Sequence, residues 1–218
     1  MRKHHNEWGA HAMNLSDYDM KLVQIMDAGG RTITGQAETL LPDYCLREFG
    51  RREEALKIGG NVFCASDISA IKTMPDMAVI RAAETWQRAG AYYVRIQAMA
   101  KKHHISLRQE FDERDTPETK YIVVTDSDFP IATARMYPLD ERSMMIGRVV
   151  VLPEYRRQGI GTMVVRECEE WAEELGCSKT VVESRDNKVG FYEQMGYVIS
   201  GEMKDGETFR CVRMEKRL

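Results

Sequence analysis

One segment in the second half of the chain constrains the fold more than any other. The run SMMIGRVVVLP, residues 143–153, predicts a buried strand that ends at Pro153. The loop RRQGIG, residues 156–161, follows it and leads directly into a stretch with helical apolar spacing. Glycines let the backbone approach a ligand closely, and the first turn of a helix offers unpaired N–H groups at the positive end of its dipole. This order of strand, loop and helix predicts a site for phosphate or pyrophosphate.

Two common phosphate-binding motifs are absent from the sequence. No G-x-G-x-x-G follows the first predicted strand, and G-x-x-x-x-G-K-[ST] occurs nowhere. The chain is therefore predicted to be neither a Rossmann-type dinucleotide-binding protein nor a P-loop protein. From the loop alone, a glycine-rich helix entry that binds nothing remains an alternative.

A second motif lies downstream of the loop, and the two together resemble a known superfamily. The loop pattern [QR]-x-x-G-x-[GA] is matched by Arg156, Gly159 and Gly161. The pattern N-x-x-x-F-Y-x-x-x-G-[FY] is matched by Asn187, Phe191, Tyr192, Gly196 and Tyr197. Both are motifs of the GNAT acyltransferase superfamily. The wording of AVIRAAETWQRAGAYYVR, QEFDERD and IGRVVVLPEYR also resembles the ElaA-like subgroup, so that the resemblance covers residues 78–218.

The resemblance implies an α/β fold with a mixed, mostly antiparallel sheet flanked by helices. It implies acetyl-CoA as the acyl donor and no metal. The backbones of Val149 and Val151 would bind the pantetheine arm, and the N–H of Val150 or Val151 would hold the thioester carbonyl and the oxyanion. The donor-site residues that the resemblance implies are Val149, Val150, Val151, Arg156, Arg157, Gln158, Gly159, Ile160, Gly161, Thr162, Asn187 and Tyr192.

The catalytic residues follow from the same resemblance and leave the general base open. Tyr192 would protonate the departing thiolate, although a packing role for its ring is the alternative. A carboxylate that many members carry just before the loop is missing here, where the sequence reads Ile146-Gly147-Arg148. A primary amine is only about 0.04% neutral at pH 7, so some group must collect its proton. Glu183 and His103 are candidates, against the alternatives of a solvated strand residue and an exposed histidine.

Two further positions depart from the subgroup and leave the acceptor open. Lys102 and His103 stand where the subgroup usually has a Glu-Gln pair, and Arg185 stands where it typically has glutamine. A covalent acyl-cysteine route is disfavoured because Cys168 lies on the predicted core face of a helix.

The N-terminal region has a different pattern. KLVQIMDAGGRTITGQAETL predicts a β-hairpin, and LKIGGNVFCASDISAIK predicts two more short strands. We therefore predict a flexible tail over residues 1–13, a small Sm-like or SH3-like barrel over 14–71, a linker over 72–77, and the GNAT domain over 78–218. The barrel lacks a basic aromatic surface, which favours a homo-oligomer or protein contact over RNA binding.

The remaining periodicity alternates between helix and strand. The stretch TWQRAGAYYVRIQAMAKKH predicts a helix with Trp86, Ala89, Tyr93 and Ile96 on its core face. YIVVTDSDFPIATARMY predicts a hairpin, and GIGTMVVRECEEWAEELG predicts a helix capped by Gly176. A strand, a short helix ending at Gly196 and a terminal hairpin around Asp205-Gly206 complete the prediction.

Composition narrows the classes of partner. Lys and Arg total 31 and Asp and Glu total 34, a net charge of −3 with His neutral, so bulk charge favours neither nucleic acid nor an anionic membrane as partner. No apolar run reaches the roughly 18 residues of a membrane span. Five cysteines without C-x-x-C favour a reducing cytoplasm.

These observations predict an N-acetyltransferase that moves an acetyl group to an amine of a small molecule or peptide by direct attack in a ternary complex. The alternative is a non-catalytic acyl-CoA-binding regulator, or a scaffold whose N-terminal barrel carries the interaction with a partner.

Overall fold

A computed structural model of the protein describes residues 14–74, 76–205 and 209–218. The chain forms two compact units, the first comprising Met1–Ala78 with Tyr155–Met163 and the second Val79–Glu154 with Val164–Leu218. The tail predicted for residues 1–13 lies outside the described residues.

The first unit contains a five-stranded antiparallel sheet. Its strands are β1 (Leu22–Asp27), β2 (Thr32–Leu40), β3 (Ala55–Ile58), β4 (Asn61–Cys64) and β5 (Ile68–Thr73), in the order β4-β3-β2-β1-β5. A 3-10 turn at Leu15–Tyr18 precedes them, and helix α1 (Pro42–Phe49) joins β2 to β3. The buried core consists of Leu15, Val23, Ile25, Ala37, Leu56, Ile58, Phe63, Ile68 and Ile71.

The predicted N-terminal hairpin is confirmed. Its turn is fixed by the Asp27 carboxylate, which accepts hydrogen bonds at 2.9 Å from the backbone N–H groups of Gly29 and Arg31. Gly30 follows with a φ of 78°, a left-handed conformation that glycine adopts without a steric penalty. The prediction of this hairpin rests on residues next to each other in the sequence, and the structure agrees with it.

Two features of this unit differ from the prediction. The segment predicted to hold two strands holds three, and α1 was not predicted. The helix has recognisable signals, Pro42 in its first turn and Gly50 with a φ of 71° just past its end, but it is short and buries only Cys45. The predicted small Sm-like or SH3-like barrel is not confirmed, because the described pairings leave β4 and β5 as the two edges of a sheet that does not close.

The second unit contains a seven-stranded mixed sheet in the order β11-β12-β10-β9-β8-β7-β6. The strands are β6 (Met77–Arg81), β7 (Lys120–Asp126), β8 (Phe129–Asp140), β9 (Ser143–Val151), β10 (Lys179–Arg185), β11 (Val198–Asp205) and β12 (Arg210–Arg217). Strands β9 and β10 run parallel, whereas β7/β8, β8/β9, β10/β12 and β11/β12 are antiparallel. The predicted mixed, mostly antiparallel α/β sheet is confirmed.

The helices of the second unit flank this sheet. Helix α2 (Thr85–Arg95) continues through a π-helical segment (Ile96–Ala100) into α3 (Lys101–His103). The others are α4 (Leu107–Glu110), α5 (Ile160–Glu174) and α6 (Val189–Glu193). The first residues of α5 belong to the segment Tyr155–Met163 of the first unit. No helix among the residues that the structure describes is long and apolar enough to cross a bilayer.

The predicted core face of α2 is wrong. Trp86 is 50% exposed, whereas the buried residues of α2 are Ala91, Val94 and Arg95. Small residues face the sheet because helix and sheet pack closely here: a Cβ added at Gly90 would lie 3.2 Å from Pro130. A periodicity argument that weights large aromatic residues therefore selects the wrong side of this helix.

Candidate active site

Strands β9 and β10 are paired over only part of their length. Their parallel register runs from Ser143 opposite Lys179 to Ile146 opposite Val182. Beyond this point β10 continues to pair with β12 and β9 with β8. The two parallel strands therefore part, and β10 does not cover the edge of β9 over the stretch that contains Val149, Val150 and Val151.

A β-bulge lies at the start of this stretch. Thr133 of β8 is opposite Val150 and Arg135 is opposite Gly147, so β9 carries one extra residue. Arg148 takes up the bulge with a φ of 51°. A bulge bends its strand, and this one comes immediately before the residues predicted to bind the donor.

The loop after β9, residues 156–161, is called the donor loop below. Arg157 and Gly159 have φ values of 59° and 80°, so left-handed residues alternate along it. Such alternation turns successive N–H groups toward one side and forms an anion-binding concavity. The loop opens into α5 at the fully buried Ile160, which anchors the first turn of the helix. The predicted residues Arg156, Gln158, Gly161 and Thr162 are half-buried, and Arg157 is exposed.

Within the first unit, the donor loop rests on the β1–β2 hairpin. The amide of Gln24 donates to the backbone carbonyl of Gln158 at 2.9 Å, and the hydroxyl of Thr34 donates to the same oxygen. Gln24 and Thr34 face each other across the hairpin and are both buried. A Cβ added at Gly159 would lie 2.6 Å from the backbone nitrogen of Thr34. Close approach of β2 therefore requires glycine at 159, whether or not a ligand binds.

Tyr192 lies on α6 and is 8% exposed. Its ring packs edge-on against Phe191 and Tyr197, with centroid distances of 4.9 and 5.5 Å. Burial raises the pKa of the Tyr192 phenol far above its ordinary value, the neighbouring Cys168 raises it further, and the charge of Arg185 opposes the rise. The phenol therefore keeps its proton at neutral pH. Asn187 is exposed in the 3-10 turn before α6.

The two candidate bases lie in different surroundings. Glu183 is exposed on β10, opposite Arg213 of β12. His103 ends α3 and is half-buried, with its ring edge-on to Phe209 at 5.1 Å. Arg185 stacks on the same Phe209 ring, with its guanidinium carbon 3.4 Å from the centroid.

Arg185 also reaches the π-helical segment, where its Nη2 donates to the sulfur of Met99 at 3.0 Å. We call Met99, His103, Arg185 and Phe209 the Phe209 cluster. In the sequence, Arg185 is recognisable only as a departure from the subgroup. Met99 and Phe209 were not predicted as site residues, because a Phe beside a predicted turn carries no signal of such a contact.

A buried ion network lies beside the bulge. Arg95, Arg135 and Arg148 are joined to Glu110, Asp112 and Asp115 by ion pairs of 2.5 to 3.3 Å. Burial alone would raise the pKa of Asp115, but hydrogen bonds from Arg95 and Tyr121 and the charges of Arg95 and Arg135 outweigh it and hold the pKa at about 2. Glu110, Asp112 and Asp115 of QEFDERD thus fasten this segment to Arg135 on β8 and Arg148 on β9. Among the described residues, no group of three or more His, Cys, Asp or Glu side chains is placed to hold a metal.

Comparisons of this chain with known protein families and structures agree with the fold and with the position of the donor loop. The model of the Acetyltransferase (GNAT) family matches residues 81–197. Protein YyaT of Bacillus subtilis, itself uncharacterised, is 30% identical over 120 residues, which cover 53% of this chain and 80% of YyaT. The crystal structure of a Lactobacillus plantarum protein described as an N-acetyltransferase is 32% identical, with a TM-score of 0.63 over 65% of this chain and 98% of that one.

The crystal structure of Escherichia coli ElaA is also similar, with a TM-score of 0.56 over 64% of this chain and 97% of that one. At 17% identity this likeness shows the fold alone, so the ElaA-like subgroup stays a prediction. The five-stranded sheet precedes the family match, which spans more than half of the 218 residues and contains both sequence motifs. The chain belongs to the GNAT acetyltransferase family.

Proposed function

We propose that this protein transfers an acetyl group from acetyl-CoA to an amine of a small molecule or peptide, by direct attack of the amine in a ternary complex. The observation that carries the proposal is the parting of β9 from β10 directly before a loop with left-handed residues at the start of α5. This combination provides a strand edge that β10 does not cover, followed by an anion-binding concavity, which fits a ligand with an amide-containing arm and a pyrophosphate.

The donor would be held mainly by backbone groups. Val149 and Val151 would bind the pantetheine amides along the edge of β9. The N–H groups from Arg157 to Thr162 and the dipole of α5 would hold the pyrophosphate. The Arg156 and Arg157 side chains would add charge at the loop. Asn187, in the second motif, is proposed as a further contact.

The acyl carbonyl would be polarised by the N–H of Val150 or Val151. Val150 is 6% exposed, so a donor at this point acts in a region of low dielectric. An N–H fixed in a strand needs no reorganisation as negative charge develops on the oxygen.

Tyr192 would give its proton to the departing thiolate. The raised pKa of its buried phenol keeps the proton on Tyr192 at neutral pH, which is the form that a general acid requires. Because a thiolate is a weaker base than a phenolate, the proton would be transferred only through a hydrogen bond formed in the transition state.

The proton of the amine would go to Glu183 or to His103, directly or through water. The exposure of Glu183 suits a group that exchanges protons with solvent, whereas His103 lies in the Phe209 cluster. No observation favours the non-catalytic alternative, because the donor loop and a protonated Tyr192 are both present.

We also propose that the first unit is a rolled sheet of the small-barrel kind. Its two edge strands, β4 and β5, are joined only by the 3-10 turn Ala65–Asp67, and so short a link brings the edges near each other. Open edges of this kind can pair with a second copy, which supports a homo-oligomer. All five cysteines are free, which supports a reducing compartment such as the cytoplasm.

The activity is tested with the full chain by calorimetric titration with acetyl-CoA and by release of CoA over a panel of amines. The proposal expects binding of acetyl-CoA and release of CoA that depends on the amine. Binding without any amine-dependent release would instead indicate an acyl-CoA-binding regulator.

A further inference from the structure

Arg185 is the member of the Phe209 cluster that carries a positive charge without an ion-pair partner among the described residues. It ends β10, is half-buried, and stacks on the Phe209 ring. Among the residues that the structure describes, its one hydrogen-bond acceptor is the thioether of Met99, a weak acceptor. No described carboxylate lies within ion-pair distance of its guanidinium.

The neighbouring charges do not neutralise it. The network beside the bulge pairs three arginines with three carboxylates, and Glu110 already contacts both Arg95 and Arg148, at 2.8 and 3.3 Å. Among the residues that the structure describes, and counting Arg185, this region holds four guanidinium groups and three buried or half-buried carboxylates. Within this set, one positive charge is left over beside the π-helical segment.

The burial of this cation has a cost that is offset only in part, by stacking on Phe209, by the hydrogen bond to Met99 and by the charge of Glu110. Burial lowers the pKa of the Arg185 guanidinium below its ordinary value, although the group remains charged at neutral pH. A desolvated guanidinium without an anion is unfavourable, and a planar anion that accepts two parallel N–H bonds is its best complement. Stacking on Phe209 fixes the plane of the guanidinium and so sets the direction of its two parallel N–H donors.

We infer that Arg185 binds a carboxylate of the acceptor, so that the acceptor is an amino acid or peptide with a free acid group rather than a simple amine. The inference rests on the proposed function and specifies its substrate class. Phe209 holds the guanidinium in place. Arg185 ends β10, which leads through the 3-10 turn Asp186–Lys188 into α6, the helix that carries the proposed acid Tyr192. A carboxylate bound there leaves the amine of the same molecule free to attack.

The test compares matched acceptors that differ only in the acid group. A set of ω-amino acids and dipeptides is assayed as free acids and as carboxamides, with CoA release as the readout. The amine pKa is similar within each pair, so the comparison reports recognition of the carboxylate. We expect kcat/KM for the free acid to exceed that for the amide by ~10-fold or more, mainly through KM, as for a charge-assisted hydrogen bond.

Three variants test whether Arg185 causes the preference for free acids over carboxamides. Arg185→Gln is expected to lower kcat/KM for the acids to that of the amides, while KM for acetyl-CoA stays within about twofold. Arg185→Lys keeps the charge but loses the fork, so an intermediate preference is expected. Arg217→Gln is the matched control, because Arg217 is exposed at the other end of the β10/β12 ladder, opposite Lys179.

A second readout is independent of turnover. The best free acid is titrated into protein saturated with CoA, where no transfer can occur, and Arg185→Gln is expected to weaken its binding ~10-fold. Equal rates for acids and amides, or an acid preference that survives Arg185→Gln, would overturn the inference and leave the activity intact. A rise in KM for acetyl-CoA alone would overturn it too, by assigning Arg185 to the donor. Absence of transfer to every amine would refute the proposed function, and absence of acid binding as well would refute this inference.

Discussion

The hydroxyl of Thr34 donates a hydrogen bond to the backbone carbonyl of Gln158, and so ties β2 to the donor loop. The next residue, Gly159, lies against the backbone of the same strand, where a Cβ would come within 2.6 Å of the Thr34 nitrogen. The loop that carries the family's pyrophosphate motif is therefore supported by a part of the chain that lies outside the family match. The β1–β2 hairpin supports the conformation of the donor loop.

Thr34→Val removes this hydrogen bond while it keeps the shape of the side chain. We expect the free energy of unfolding to fall by about 1 kcal/mol and the Kd for acetyl-CoA to rise about 3- to 10-fold, since Gln24 still holds the same carbonyl. The control is Thr39→Val on the same strand, whose hydroxyl donates to Leu15 at 3.3 Å. If both variants lose stability and neither changes the Kd, the hairpin does not support the donor loop.

Gly159→Ala tests the close approach of β2. Gly159 and Gly176 have similar φ values of 80° and 84°, but a Cβ at Gly176 meets nothing within 4 Å. Gly176→Ala is therefore expected to cost about 1–2 kcal/mol of stability from backbone strain alone, with the Kd for acetyl-CoA unchanged. Gly159→Ala is expected to cost more and to weaken acetyl-CoA binding more than ~10-fold, as measured by denaturation and calorimetry. Equal effects of the two variants would contradict the close approach.

Tyr192→Phe tests the general acid. The change deletes one hydroxyl and keeps the ring packing, so kcat should fall ~10²- to 10⁴-fold while the Kd for acetyl-CoA stays near that of wild type. Because burial raises the pKa of Tyr192, deprotonation of this phenol should not limit kcat of the wild type on the alkaline side up to about pH 10.

The matched control for the acid is Tyr197→Phe. The Tyr197 hydroxyl is hydrogen-bonded to Thr180 at 2.9 Å, so its loss should lower stability by about 1 kcal/mol with little change in kcat. A loss of kcat below about threefold in Tyr192→Phe would mean that Tyr192 only packs.

Asp115 should make the fold sensitive to acid. Its pKa is about 2 in the folded protein against an ordinary value of 3.8, so its ionised form stabilises the fold above the ordinary pKa. This contribution of about 2 kcal/mol is lost as pH falls toward the folded pKa, most of it between about pH 5 and pH 2.5. Urea unfolding across this range should show a shallower pH dependence for Asp115→Asn. Glu113→Gln, whose side chain is 84% exposed, should retain the dependence of the wild type.

How much the sequence predicts depends on the range of the interactions. The donor loop, the left-handed Gly176 and the N-terminal hairpin follow from neighbouring residues, and the structure contains each of them. The predicted core face of α2 was wrong because the small residues Gly90 and Ala91, not the aromatic residues, allow the close packing against the sheet. The size and spacing of apolar residues in the sequence do not show how closely a helix packs on a sheet, so they could not predict this face.

The rest of the site depends on contacts between residues that are far apart in sequence. Thr34 and Gln158 are separated by 124 positions, and Arg185 meets Met99 across 86. The only sequence signal for the contact with the donor loop was a polar pair, Gln24 and Thr34, opposite each other in the hairpin. Alternation of residues along a strand does not show which segment of the chain covers either face of the sheet. The family resemblance covers residues 78–218 and therefore does not extend to strands β1 to β5.

The most direct test of the account follows the label of radiolabelled acetyl-CoA through a single turnover of the full chain with an excess of amine. Direct attack in a ternary complex predicts that the label passes to the amine, that no label becomes covalently attached to the protein at any time, and that transfer slows in Tyr192→Phe. Label covalently attached to the denatured protein before it reaches the amine, or loss of label to water without an acetylated amine, would contradict the proposed mechanism.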